Sequence, residues 1–164
     1  SDHGTGVGER FGERNYGSFT YEETIRTFYL FISKNIKNGR ISEKLRATID
    51  VFPTILDLVK IDNNLERPGE SFVDYLLGNS NELKEKPHTF SDTGALHGLY
   101  PSPEKSNVFC IKTPTHKLMY LDSPKQWKFF DIIKDPNERE NKYGSDLETE
   151  KKLKIRLKEF IDDR

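Results

Sequence analysis

The chain has 164 residues, with 26 basic and 27 acidic side chains that nearly cancel. No basic block suits a phosphate backbone, so the composition predicts no nucleic-acid partner. No apolar run approaches the roughly 18–20 residues of a membrane helix, so no membrane segment is expected in this chain. The single cysteine, Cys110, excludes an internal disulfide, and its apolar neighbours indicate a buried strand thiol.

The first half of the chain predicts one strand and two helices after a loop over residues 1–20. β-Branched and aromatic residues favour a buried strand from Arg26 to Ile32. Asp50 is predicted to cap a helix whose first turn holds Pro53. One apolar face of that helix would comprise Val51, Ile55, Leu58 and Val59. A short helical turn is then expected to end on Gly78.

The second half predicts a small antiparallel sheet covered by a helix. Short polar turns separate four strand-like segments, HTFSDTG, SNVFCIKT, HKLMYLD and WKFFDII, and this spacing favours a meander. A helix is predicted from about residue 145 to 163, with Ser145 as its cap. Its apolar stripe would comprise Leu147, Leu153, Leu157, Phe160 and Ile161. Laid across the sheet, this helix would bury both apolar faces.

The run Ser-Asp-His-Gly places two metal-ligand side chains next to each other. On an extended strand Asp2 and His3 would point to opposite faces, but a sharp turn at Gly4 lets them converge on one ion. A carboxylate with an imidazole suits Zn²⁺, Mn²⁺ or Fe²⁺, and Ca²⁺ less well. Two ligands do not complete a site, so the other ligands are expected from residues outside this chain.

Five motifs, in order and at the expected spacing, resemble the sulfatase family of the alkaline-phosphatase superfamily. They are SDHG, VGERFG, GSFTYEETIRTFYLF, IDVFPTILDLVKI and RPGESFVDYLLG. The later segment WKFFDIIKDPNERENKYG resembles the C-terminal signature of that family, an aromatic strand followed by Asp-Pro-x-Glu-x-x-Asn. The resemblance is specific in residues 1–62 and 127–141 and loose between 80 and 120. It implies the α/β fold of the alkaline-phosphatase and sulfatase type.

The resemblance further implies that the chain is the C-terminal part of a longer hydrolase. Residues 1–80 would be the end of the catalytic α/β domain, and residues 81–164 a small subdomain of antiparallel strands with a terminal helix. The formylglycine nucleophile of sulfatases arises from a Cys/Ser-x-Pro-x-Arg motif, which is absent here and expected upstream. We therefore expect the chain to be inactive alone. An exposed sheet edge and apolar face would also favour its self-association.

Roles for individual residues near the first motif also follow from the resemblance. Asp2 matches the metal-binding aspartate of the family, and His3 stands where the family has Asn or His. The expected ion is Ca²⁺, Mn²⁺ or Zn²⁺, which polarises sulfate or phosphate oxygens. Many sulfatases carry a sulfate-contacting lysine before Tyr-Glu-Glu, and this chain has none there. Arg14 and Arg10 are the predicted replacements, since a guanidinium offers paired donors to a tetrahedral oxyanion, and Tyr16 is a further candidate donor.

Other polar residues receive structural interpretations. Glu22 and Glu23 are interpreted as loop anchors and ion-pair partners near the site. The Asp135 to Asn141 segment is predicted to fix a loop through side-chain hydrogen bonds. His97 lies in a Gly/Pro-rich loop, where a surface histidine is favoured over a residue at a substrate mouth.

The sequence therefore predicts a metal-dependent, arylsulfatase-like sulfuric ester hydrolase. Its substrate would be a sulfated or phosphorylated small molecule or saccharide. Two alternatives stay open. One is a phosphodiesterase or phosphonate hydrolase of the same superfamily, and the other is a catalytically inactive homologue with a binding role.

Overall fold

The computed structural model describes residues 1–10, 19–36, 39–62, 68–94 and 105–163. The helices are α1 (Glu22–Ile25), α2 (Val51–Leu58), α3 (Val73–Leu77) and α4 (Leu147–Asp162), with a 3₁₀ turn at Thr48–Asp50 before α2. The strands are β1 (Thr89–Thr93), β2 (Val108–Lys112), β3 (His116–Leu121) and β4 (Gln126–Asp131).

The chain forms two compact units, one of residues 1–28 with 88–164 and one of residues 29–87. These bounds differ from the predicted division into residues 1–80 and 81–164, which stays a prediction about the parts of a larger domain.

The first unit is built on an antiparallel sheet in the order β1-β2-β3-β4. Each strand pairs with the next along the chain, and the register places Lys117 of β3 opposite Lys112 of β2 and Phe130 of β4. The predicted meander of four strands is confirmed.

Side chains alternate between the two faces of this sheet, and each face has its own cover. On one face, α4 packs Leu153 and Leu157 against a cluster made by Phe109, Ile111, Leu118 and Phe129. On the other face, Tyr21 packs against a cluster made by Val108, Cys110, Met119, Leu121 and Phe130. We call this second side the Tyr21 face. Cys110 is 1% exposed there, which confirms the predicted buried thiol.

Helix α4 confirms the predicted terminal helix but corrects its cap and one stripe residue. Asp146, rather than Ser145, accepts a hydrogen bond from the Thr149 amide at 3.0 Å, the usual way in which an N-cap side chain satisfies a free donor of the first turn. Leu147 is 73% exposed. It is the first residue of the helix and precedes Leu153 by six residues, which at about 100° per residue places it about 120° from Leu153 around the helix axis.

The predicted strand from Arg26 to Ile32 is wrong for this structure, in which that segment has no regular secondary structure. A strand requires a hydrogen-bonded neighbour, and no described strand pairs with these residues. Their alternate apolar side chains are consequently exposed, with Phe28, Leu30 and Ile32 at 73%, 77% and 85%.

The unit of residues 29–87 confirms α2 but corrects the role of Asp50. The Asp50 carboxylate does not cap the helix. It is fully buried and accepts from the amides of Ala47 and Glu70 at 3.1 and 2.8 Å. Arg46 and Lys86 pair with it at 3.0 and 3.3 Å, so the acid organises the loop before the helix.

The side of α2 that packs inward carries a polar residue, Thr54, which is fully buried. Its hydroxyl donates to the Asp50 carbonyl and accepts from the Phe72 amide. The predicted apolar face is partly exposed instead, with Ile55 at 44% and Val59 at 54%. Helix α3 ends at Gly78, whose φ of 85° is the left-handed cap predicted for it.

Across the described residues, none of the helices has both the length and the apolar character needed to cross a bilayer.

Replacing Leu157 by Ala should lower the free energy of unfolding by about 2–5 kcal/mol, because the side chain is fully buried between α4 and the sheet. Ile155 on the same helix is 52% exposed, so Ile155→Ala should change it by no more than about 0.5 kcal/mol. Urea denaturation of both variants measures the difference. Equal effects would contradict the packing described for α4.

Candidate functional site

The side chains of Asp2 and His3 lie close together, and their predicted sharing of one ion stays a prediction. The His3 Nε2 atom is 3.7 Å from Oδ2 of Asp2, while Asp2 Oδ1 accepts from the His3 amide at 3.0 Å. The His3 Nδ1 atom lies 2.6 Å from the Gly4 carbonyl oxygen. A ring nitrogen held by a carbonyl fixes the orientation of the other nitrogen, which is the usual arrangement of a metal-binding histidine.

Backbone hydrogen bonds also favour the charged form of Asp2. Amide donors of Asp2 itself and of His3 lower the pKa of its carboxyl group, so the side chain is a carboxylate at neutral pH. Its side chain is 89% exposed. The pair therefore presents an anionic oxygen and an imidazole to whatever occupies the space beside them.

Gly4 docks this pair onto helix α1. Its amide donates to the Thr24 carbonyl at 2.9 Å, and a Cβ atom at this position would collide with the Glu23 carbonyl oxygen. A residue without a side chain is therefore required where the turn after His3 meets the helix.

Arg10 is held by the protein on several sides. Its Nε donates to Glu23 at 2.5 Å, and its two Nη atoms donate to the carbonyls of Glu138 and Asn137 at 2.8 and 2.6 Å. The guanidinium carbon lies 3.5 Å from the centre of the Tyr21 ring. These contacts favour a structural role for Arg10, whereas its predicted contact with a substrate anion stays a prediction.

A buried ionic network connects α1 to the sheet, and we call it the Lys117 network. The Lys117 ammonium, which is fully buried on the Tyr21 face, lies 2.8 Å from Glu22 and 2.6 Å from Glu138. It also donates to the Thr20 carbonyl at 3.0 Å. Lys112 pairs with the other oxygen of Glu22 at 2.6 Å. The ion-pairing role predicted for Glu22 is thereby confirmed.

The two carboxylates keep Lys117 charged in spite of its burial. Desolvation alone would lower the pKa of Lys117, but attraction to Glu138 and Glu22 raises it overall. For Glu22, desolvation is outweighed by Lys117 and Lys112 together, so its pKa is lowered. Burial raises the pKa of Glu138, and Lys117 offsets this in part. The network thus consists of one charged lysine between two acids, of which Glu22 has the lower pKa and Glu138 the higher.

The Asp135 to Asn141 segment fixes its loop as predicted. Asn141 Oδ1 accepts from the amides of Phe129 and Tyr143 at 2.9 and 3.1 Å, and Asp135 accepts from the Glu140 amide. Between them, Glu138 points inward to Lys117 and also accepts from the Glu22 amide at 2.9 Å. Each acid or amide of the signature therefore has an identified hydrogen-bonding role in the structure.

A cavity of about 280 Å³ opens beside His3. Its walls come from both segments of the first unit, residues 1–28 and residues 88–164. The first segment contributes residues near α1, and the second contributes residues of strand β1. They are His3, Gly4, Phe19, Thr20, Thr24, Ile25, Asp92 and Thr93.

The remaining predicted residues, Arg14, Tyr16 and His97, lie outside the described residues. Sequence reasoning missed Lys112 and Lys117 as partners of Glu22. A signal was present in β3, because Lys117 alternates with Met119 and Leu121 on what is otherwise an apolar face. A cation at such a position requires a buried anion.

Replacing Lys117 by Met should lower the free energy of unfolding by about 3–5 kcal/mol, because two buried carboxylates would lose their cation. Adding Glu138→Gln should recover part of that loss. Lys134→Met is the control, since Lys134 is 78% exposed and pairs with Asp131 at the surface; its cost should stay below about 1 kcal/mol. Chemical denaturation measures all three, and equal costs would contradict the network.

Acid should destabilise the protein through Glu22. Its folded pKa lies below the ordinary value of 4.5, so its stabilisation is complete above that pH and is lost as the pH falls through the lowered value. Glu138 has a raised pKa, so its contribution to stability changes with pH in the opposite direction. The Glu22→Gln variant should therefore lose stability less steeply below pH 4.5 than the parent. Parallel curves of unfolding free energy against pH would exclude this contribution.

Comparisons with known proteins agree with these features. The chain is 27% identical over 150 residues to an arylsulfatase of Clostridium perfringens, covering 89% of this chain and 29% of that protein. It is 26% identical over 144 residues to a Δ4,5-hexuronate-2-O-sulfatase of Bacteroides thetaiotaomicron, covering 86% of this chain and 29% of that protein. The chain thus spans less than a third of the length of these relatives.

A solved structure of a 2-O GAG sulfatase superposes on 92% of this chain and 32% of its own, with a TM-score of 0.69 and 22% identity. The predicted alkaline-phosphatase and sulfatase type of fold is thereby confirmed. The family model described as N-sulphoglucosamine sulphohydrolase, C-terminal, matches residues 12–163. This match covers most of the sequence, and the chain therefore belongs to that C-terminal family of the sulfatases.

Proposed function

We propose that the chain supplies part of the metal site of a sulfatase that hydrolyses sulfate esters of saccharides. The observation that carries the proposal is the pairing of Asp2 and His3, with Nε2 and Oδ2 3.7 Å apart beside a cavity. Membership of the sulfatase C-terminal family supports the reaction class.

The Asp2–His3 pair fits a divalent cation as a partial ligand set. Two ligands at about 2.1 Å from one ion in tetrahedral geometry lie about 3.4 Å apart, close to the separation of this pair. In the described part of the chain, no group of three or more His, Cys, Asp or Glu residues could hold an ion. Asp2 and His3 would therefore share the ion with ligands from elsewhere in the protein.

A bound Ca²⁺, Mn²⁺ or Zn²⁺ would polarise the oxygens of the sulfate ester. The residues of this chain would keep the ligands in place. Gly4 anchors the ligand turn to α1, and α1 is held to the sheet through Glu22 and the Lys117 network. The lowered pKa of Asp2 keeps its carboxylate ionised for the cation.

Two further elements of the reaction are proposed to come from other residues. A formylglycine nucleophile would be supplied by a part of the protein beyond this sequence, so the chain alone would be inactive. Of Arg14 and Arg10, the two predicted ligands of the substrate anion, we favour Arg14, because the Arg10 guanidinium already contacts Glu23 and two backbone carbonyls.

The saccharide class of substrate is supported by the relatives. One is named a hexuronate-2-O-sulfatase, and the solved neighbour is named a 2-O GAG sulfatase.

The apolar side chains exposed in residues 29–87, such as Leu30, Ile32 and Val59, support the predicted association of the isolated chain with itself.

The test uses the full-length protein with 4-nitrophenyl sulfate, a 2-O-sulfated hexuronate disaccharide and 4-nitrophenyl phosphate. We expect hydrolysis of the sulfate esters. Asp2→Asn and His3→Ala should lose bound metal, measured by elemental analysis, and should lower kcat by more than about 100-fold, the upper limit of the usual loss for an outer-shell partner. His88→Ala is the matched control, because His88 packs on the Phe90 ring.

Each outcome separates the proposal from its rivals. Hydrolysis of the phosphate ester alone would favour a phosphohydrolase of the same superfamily, and no hydrolysis would favour an inactive homologue. Unchanged metal content in both Asp2→Asn and His3→Ala would exclude the proposed ligands.

A further inference from the structure

The cavity beside His3 has walls of two kinds. Phe19 and Ile25 contribute apolar surface, while Thr20, Thr24 and Thr93 bring hydroxyl-bearing side chains to its lining. Its volume of about 280 Å³ is just below the range for ligand pockets, about 300–1,000 Å³. Such a cavity holds one small ring rather than an extended chain.

The charges around the cavity disfavour a second anionic group. Of the described residues that line it, none is Lys or Arg, and Asp92 is an acid. Among these described residues, a second sulfate would find no cation to compensate for its charge. A hydroxyl-bearing ring suits these walls better, because hydroxyls can exchange hydrogen bonds with threonine and the apolar edge of the ring can contact Phe19 and Ile25.

Thr93 is well placed to contact such a ring. It pairs with Val108 in the sheet, so alternation places its side chain on the Tyr21 face, toward the segment that carries Thr20 and Thr24. Its backbone is fixed, since its carbonyl accepts from the Asn107 amide at 3.0 Å. The hydroxyls of the other two threonines are less available, because Thr20 is 1% exposed and Thr24 is 4% exposed.

We propose that this cavity binds an uncharged, hydroxyl-bearing part of a sugar next to the sulfate ester, and that Thr93 is a specificity-determining residue for it. The proposal rests on the proposed function, because His3 belongs both to the ligand pair and to the cavity wall. The small C-terminal sheet would then select the saccharide through β1, while Asp2 and His3 serve the sulfate group.

The experiment compares Thr93→Val with Thr89→Val in the full-length protein. Thr89 lies on the same strand and the same face but outside the cavity. With the 2-O-sulfated hexuronate disaccharide, Thr93→Val should lower kcat/KM about tenfold through KM, since one hydrogen bond to the sugar is lost. With 4-nitrophenyl sulfate, which has no sugar ring, kcat/KM should stay within about twofold. Thr89→Val should match the parent on both, and Thr93→Ser should retain the saccharide activity.

Thermal unfolding of each variant shows whether the fold is intact, and Thr93→Ala replaces Thr93→Val if that variant unfolds. Equal losses on the two substrates, or no loss on the disaccharide, would overturn the role of Thr93 while leaving the sulfatase proposal intact. A parent protein that hydrolyses neither substrate would overturn both proposals.

Discussion

The buried Lys117 ammonium is the interaction on which the first unit depends. A lysine on a packed sheet face is tolerated only when anions replace its water, and Glu22 and Glu138 supply them from two distant parts of the sequence. The charge requirement therefore joins the helical turn near the start of the chain to the loop after β4. Apolar packing around Tyr21 buries further surface between the same segments. Because such packing has no required partner, it is less specific than the ion pairs of Lys117.

The same helical turn carries the candidate site. The Thr24 carbonyl accepts from the Gly4 amide and the Glu23 carboxylate accepts from the Arg10 guanidinium, so the turn after His3 and the Arg10 side chain are both fixed to α1. Because α1 has only four residues, it has little stability of its own. Its position comes from Glu22 and the Lys117 network, which makes the C-terminal sheet a support for the segment that carries Asp2 and His3.

Local patterns predicted the elements whose partners lie nearby in sequence. The meander and α4 were predictable because strand alternation and the stripe of Leu153 and Leu157 report burial against neighbouring elements. The prediction of a strand from Arg26 to Ile32 was wrong. The sequence pattern reports the apolar character of these residues, whereas a strand also requires a neighbouring strand to pair with. In the candidate site, Asp2 and His3 were predicted from their chemistry, and their role as metal ligands stays a prediction. The partners of Glu22 were not predicted, since more than 80 residues separate it from Lys112 and Lys117.

The contacts of Asn141 limit how the sheet can grow. Its side chain accepts from the Phe129 amide, and the Lys142 amide donates to the Phe129 carbonyl, so this residue of β4 has both of its outward-facing backbone groups occupied. An incoming strand would find no vacant donor or acceptor there. Lateral extension across Phe129, whether by another polypeptide or by an aggregating copy, is thus blocked at the β4 border.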